Sequence, residues 1–176
     1  MSPEFDEMTT FIETGNQDIF VNHMEPDLYK VGNILFSDEY ALKTTNGVTI
    51  TTIAGTSTES GYVDGIGVFA RFDYITGFVQ VSKEIVVAAD YGCLRMINRR
   101  TLQTSVYAGS ESCTCAYNAA GLPSYDSVCS PHTIIPVAVG WVGDYLVTDS
   151  DRCAVMSFNH DQESHLTHAG LSNLYV

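Results

Sequence analysis

The chain has 176 residues, 45% of them apolar, enough to build a core within one domain and too many for a disordered chain. No apolar run approaches the ~20 residues of a membrane-crossing helix, and the N-terminus lacks the basic-then-apolar pattern of a signal peptide. Eight Lys and Arg against 21 Asp and Glu leave a net charge of −13, which repels phosphate and excludes nucleic acid as a partner, since that affinity comes from cations on phosphates. Residues 1–19 carry no predicted element and read as a leader, in part of the kind a cloning vector adds.

Taken in chain order, short runs rich in Val, Ile, Leu, Tyr and Thr alternate with Gly, Asn, Asp and Lys turns, and helical periodicity is absent. A first unit over 20–56 is expected to hold strands at 27–31, 33–37, 41–45 and 49–54. A second over 57–110 opens with a glycine-rich loop and continues with strands at 77–81, 85–89, 94–98 and 104–108. Residues 111–130 form a cysteine-containing loop between units. A third unit and its tail occupy 131–176, with strands at 133–139, 145–148, 154–158 and 165–168.

These units are copies of one another. A turn, an apolar strand and an aspartate recur at Asp38, Asp90 and Asp149, and an Ala-Gly pair follows each, its glycine 17, 19 and 21 residues on at Gly55, Gly109 and Gly170. Four antiparallel strands in a repeat of about 50 residues make the blade of a propeller. The fold class is therefore all-β, a β-propeller-type arc of three four-stranded antiparallel blades.

The segment entering the second blade combines Ala54-Gly55, Gly61, Asp64-Gly65, Gly67, Ala70, Phe72 and Val87-Ala88-Ala89-Asp90. It resembles the NHL-repeat pattern of an Ala-Gly, a DG-x-G, an A-x-F and a V-A-D, strongly over about 60 residues and weakly over about 150. Departures occur too: Ile75 stands where the family shows a proline, and Tyr91-Gly92-Cys93-Leu94-Arg95 replaces its Asn-x-x-Ile-Arg. The resemblance implies closure with about six blades. Three would leave two apolar faces open, so a second copy, another chain or further blades are expected to cover them.

The chemistry-bearing residues divide between frame and site. Among Cys113, Cys115 and Cys129, a disulfide of Cys113 or Cys115 with Cys129 is expected to brace the loop, with unpaired thiols, or a zinc site formed together with His132, as the alternatives. Cys93 and Cys153 read as equivalent buried small residues. His165 and His168, three apart on a strand, point to opposite faces and do not converge. Asp27, Thr76 and His132 are placed at inner strand ends, with no ring of acids or histidines. The turn aspartates Asp38, Asp90 and Asp149 are expected to accept backbone N–H groups, with calcium the alternative. No catalytic residue and no cofactor is assigned. The expected function is a non-catalytic scaffold for protein contacts or self-assembly, homo-oligomeric or completed by other chains, extracellular or secreted. The alternative is a fragment of an extracellular propeller hydrolase or lyase whose metal lies on missing blades.

Overall fold

A computed structural model describes residues 18–109, 128–136, 145–150, 154–158 and 167–170. They form three antiparallel sheets. The first runs in sequence order through β1 (Val21–Pro26), β2 (Ile34–Asp38), β3 (Ala41–Thr45) and β4 (Ile50–Gly55). In the second, a two-residue strand β5 (Gly65–Ile66) precedes β6 (Ile75–Gln80), β7 (Ile85–Asp90), β8 (Cys93–Asn98) and β9 (Gln103–Ala108). The third contains β10 (Pro131–Pro136), β11 (Tyr145–Asp149), β12 (Ala154–Phe158) and β13 (Thr167–Gly170). The helical element among the described residues is a single 3-10 turn, Gly67–Phe69.

Several expectations need correction. The second sheet has five strands, not four, because Gly65 and Ile66 of the glycine-rich loop pair with Thr104 and Gln103 on its outer edge. The first strand lies at Val21–Pro26, not 27–31. Those later residues form the turn: the Asp27 carboxylate accepts the N–H groups of Tyr29 and Lys30, and Gly32 takes a φ of +90°. At the C-terminal end the last strand is Thr167–Gly170 instead of 165–168.

Register shows how closely the sheets repeat. Each first strand pairs its opening residue with the turn aspartate: Val21 with Asp38, Ile75 with Asp90, Pro131 with Asp149. A bulge follows at once, leaving Asn22, Thr76 and His132 outside the ladder, and pairing resumes at His23, Gly77 and Thr133. Cys93 pairs with Asp90, whereas the residue opposite Asp149 is Ala154.

Sheet two is packed on both faces. Phe78, Val86, Ala88 and Ile97 meet Leu35 and Leu42 of the first sheet, with Phe72 and Ala70 from the incoming loop. Val79, Val87, Ala89 and Leu94 face Ile134, Tyr145, Val147 and Met156 of the third. At roughly 1.5–3 kcal/mol for each large aliphatic or aromatic side chain buried, these two layers are the main force joining the sheets. The first strands β1, β6 and β10 stand in series, β6 touching both of the others.

Candidate functional site

The turn aspartates sit where each sheet begins. Asp38 Oδ1 accepts the Phe20 N–H at 3.0 Å. Asp90 Oδ1 takes those of Asp73 and Tyr74 at 2.9 and 3.0 Å. Asp149 takes those of Cys129 and Ser130 at 2.7 and 3.1 Å. Each carboxylate thus fastens the chain entering the first strand to the end of the second. All three are buried.

Two of them also meet a base five residues on, across the hairpin. Lys43 Nζ donates to Asp38 and to Ser57 Oγ, while Arg95 Nη1 lies 3.3 Å from Asp90. The corresponding place in sheet three holds Met156, paired with Val147 as Arg95 is with Ala88. Burial pushes the Asp90 carboxyl up to about 6, outweighing the Tyr74 N–H, the Arg95 charge and the Asp73 N–H, which favour ionisation.

Arg95, fully buried, organises the glycine-rich loop. Its guanidinium donates to the carbonyls of Arg71 and Val63 and to Asp64 Oδ1, and lies over the Phe72 ring at 5.2 Å. Val63 and Arg71 pair with each other, and Gly61 N–H donates to Phe72. Gly67, with a φ of +57°, donates to Leu102 and opens the 3-10 turn that leads into buried Ala70. The signature residues Gly61, Asp64, Gly65, Gly67, Ala70 and Phe72 are thus brought together as one crossing between sheets. In the same region Tyr62 donates to Asp73 and to the Tyr91 carbonyl; burial and the Asp73 carboxylate raise its phenol above the usual range.

Gly55 and Gly109 close the outer strands at φ values of +81° and +108°. A Cβ at Gly55 would overlap the Tyr40 carbonyl oxygen, and one at Gly109 would lie 2.9 Å from Cys93 Cβ. Gly170 is paired with Ala154 as Gly55 is with Ala41. Cys93 and Cys129 are both disulfide-bonded, so Cys93 is not the simple buried thiol expected. Cys113, Cys115 and Cys153 lie outside the described residues, as do His160 and His165.

Sequence reasoning missed the links between sheets. Asn22, not Asp27, is the counterpart of Thr76 and His132. Asn22 Nδ2 donates to the Ile75 carbonyl at 3.0 Å, and Thr76 Oγ1 to the Pro131 carbonyl at 2.8 Å. Both of these side chains reach the opening residue of the next first strand. Gln80 also crosses, donating to Glu25 and the Pro26 carbonyl and accepting the Leu28 N–H. Asp27 instead holds Arg99 through two oxygens at 3.1 and 2.9 Å, with Thr44 Oγ1 donating at 2.6 Å. Burial would push the Asp27 carboxyl up, but hydrogen bonds from Arg99, Thr44 and Lys30 and the Arg99 charge hold it below its ordinary value. Arg95 and Arg99 are thereby buried in ion pairs.

This geometry defines an all-β protein of repeated antiparallel sheets. No protein-family model and no curated protein matches the chain. Solved structures do. A protein of unknown function from Bacteroides thetaiotaomicron is 18% identical over 70% of this chain, with a TM-score of 0.55. Auxiliary nutrient binding proteins from Bacteroides thetaiotaomicron and Bacteroides ovatus are 15% and 16% identical over the same 70%, with TM-scores of 0.55 and 0.50. The chain spans 31 to 34% of the length of these structures. Likeness at this level of identity shows the fold alone.

Proposed function

We propose that the three sheets are consecutive blades of a β-propeller of the NHL-repeat kind, and that the module is a non-catalytic scaffold for protein contacts. The carrying observation is the shared register, in which the aspartate and the bulge recur in all three sheets and a bulged side chain of the first two reaches the next. The most regular acids and the buried bases hold backbone and one another, which is architectural work. Disulfide-bonded Cys93 and Cys129 suit an oxidising compartment and support an extracellular or secreted setting.

Gly77→Leu tests the stacking. A Cβ there would lie 3.6 Å from the His132 carbonyl oxygen and Ile134 Cγ2, so the rest of a leucine must force sheets two and three apart. A loss of about 1–3 kcal/mol in chemical denaturation is expected. A neutral or stabilising effect would remove the blade arrangement. Metal analysis of the purified oxidised chain tests the scaffold role: stoichiometric calcium or zinc would transfer the reading to the hydrolase or lyase alternative.

A further inference from the structure

We infer that the end of the molecule opposite the turn aspartates docks on a lipid bilayer with anionic headgroups, Val31, Val48 and Phe69 entering it beside Lys30, Lys83 and Arg100. This goes beyond the scaffold reading above and does not depend on how a propeller closes.

The topology gathers these residues. Because the strand pairs are antiparallel, the turns leaving β1, β3, β6 and β8 all fall at one end of their sheets, and Asp38 and Asp90 at the other. Contacts join the turns into one surface. Arg99 holds Asp27 and lies over the Tyr29 ring at 5.1 Å, and Thr44, just before the Val48 turn, donates to the same Asp27. The Leu28 N–H donates to Gln80 at 2.8 Å, and the Arg99 N–H to the Glu84 carbonyl at 2.7 Å. The Gly67 N–H, 2.9 Å from the Leu102 carbonyl, brings the 3-10 turn with Phe69 to the same end.

What these turns present sets the end apart. Val31, Val48 and Phe69 are 93%, 88% and 76% exposed and belong to neither core. Of the described Lys and Arg side chains, Lys43, Arg71, Arg95 and Arg99 are held in ion pairs. Lys30, Lys83 and Arg100 are exposed, make no ion pair among the described residues, and all stand on these turns. The acids described at this end are Asp27, held by Arg99; Glu25, held by His23 and Gln80; and the exposed Glu84. Cations are therefore in excess here, on a chain whose net charge is −13.

Shape and charge together select the partner. Apolar side chains standing in water on separate turns are isolated points, and a protein would need a socket for each. An acyl layer has no fixed shape and accepts them all, while the neighbouring Lys and Arg meet the anionic headgroups. A nucleic acid offers the valines no apolar layer. The net charge opposes approach only weakly, because acids such as Glu39 and Asp73 lie at the far end. Six-residue strands such as β6 span about 20 Å, more than two screening lengths of about 8 Å at physiological salt.

Co-sedimentation of the full oxidised chain with vesicles of equal parts phosphatidylserine and phosphatidylcholine is the test. Binding is expected, weakened by added salt and about tenfold or more weaker on phosphatidylcholine alone. Lys30→Glu, Lys83→Glu and Arg100→Glu should each weaken it by about tenfold or more, and Val31→Asp or Val48→Asp similarly, with circular dichroism unchanged. Thr58→Lys, exposed beside Ser57 at the Asp38 end, should change binding by less than about twofold. A gain there as large as the losses elsewhere would show net charge alone at work and overturn the site. No co-sedimentation at low salt, or binding indifferent to the substitutions on the turns, also overturns the inference. Retention on poly-glutamate without vesicle binding would give the face to an acidic protein and overturn the lipid partner. None of these outcomes bears on Gly77→Leu or on the metal analysis, so the sheet stacking and the scaffold role stand or fall separately.

Discussion

Asp27 and Asp90 are both buried beside an arginine, yet their proton affinities move in opposite directions. Asp27 has two guanidinium nitrogens and a hydroxyl on its oxygens, while Asp90 has one distant guanidinium contact, at 3.3 Å. Because Asp90 rises from 3.8 to about 6, folding takes up a proton between those values. Its contribution to stability is full below the unfolded value and is lost as pH climbs through about 6. Denaturation from acid to neutral pH should show the wild type losing about 2–3 kcal/mol relative to Asp90→Asn. Parallel curves would mean that folding leaves the proton affinity of Asp90 unchanged. Asp27 has the reverse sign, stabilising above its unfolded value and losing that as pH falls through its lower native one. Arg99→Met, which strands the Asp27 charge, should cost about 3–5 kcal/mol in denaturant titration at neutral pH.

Among the elements, the hairpins make different demands on their glycines. Gly32 has a φ of +90° with nothing within 4 Å of a Cβ, so Gly32→Ala should cost about 1 kcal/mol of backbone strain. Gly55→Ala adds a collision with the Tyr40 carbonyl and the Phe72 ring, and should cost about 3 kcal/mol or more by thermal unfolding. Equal losses would show that the turn after β2 relaxes freely. The strands of sheet two were legible because Ile85–Asp90 and Cys93–Asn98 are long apolar runs bounded by turns. The opening strand of sheet one was not: Val21–Pro26 mixes Asn22, His23 and Glu25 with apolar residues, and its bulge breaks strict alternation. For the same reason the linking role of Asn22 and Thr76 was hidden, since a residue outside the ladder has no period-two signature. The aspartates were visible through their spacing. Their basic partners had a weaker mark, the five-residue interval from Asp38 to Lys43 and from Asp90 to Arg95.

For the molecule as a whole, the acidic surplus and the disulfides act against each other. A charge of −13 favours expansion, and cross-links limit the freedom of the unfolded chain. Reduction should therefore lower stability by about 2–4 kcal/mol, read as a lower melting temperature in reductant than in its absence. An unchanged temperature would mean that the bonds at Cys93 and Cys129 restrain little. The bulge at the head of each sheet has a wider consequence. Asn22 and Thr76 are chemically unlike, yet each satisfies the same carbonyl, because the bend in the backbone supplies the aim and the side chain needs only a hydrogen within reach. Such a junction tolerates evolutionary drift. Letters can change while geometry persists, as expected of a chain that no family profile matches although its shape has counterparts in bacterial proteins.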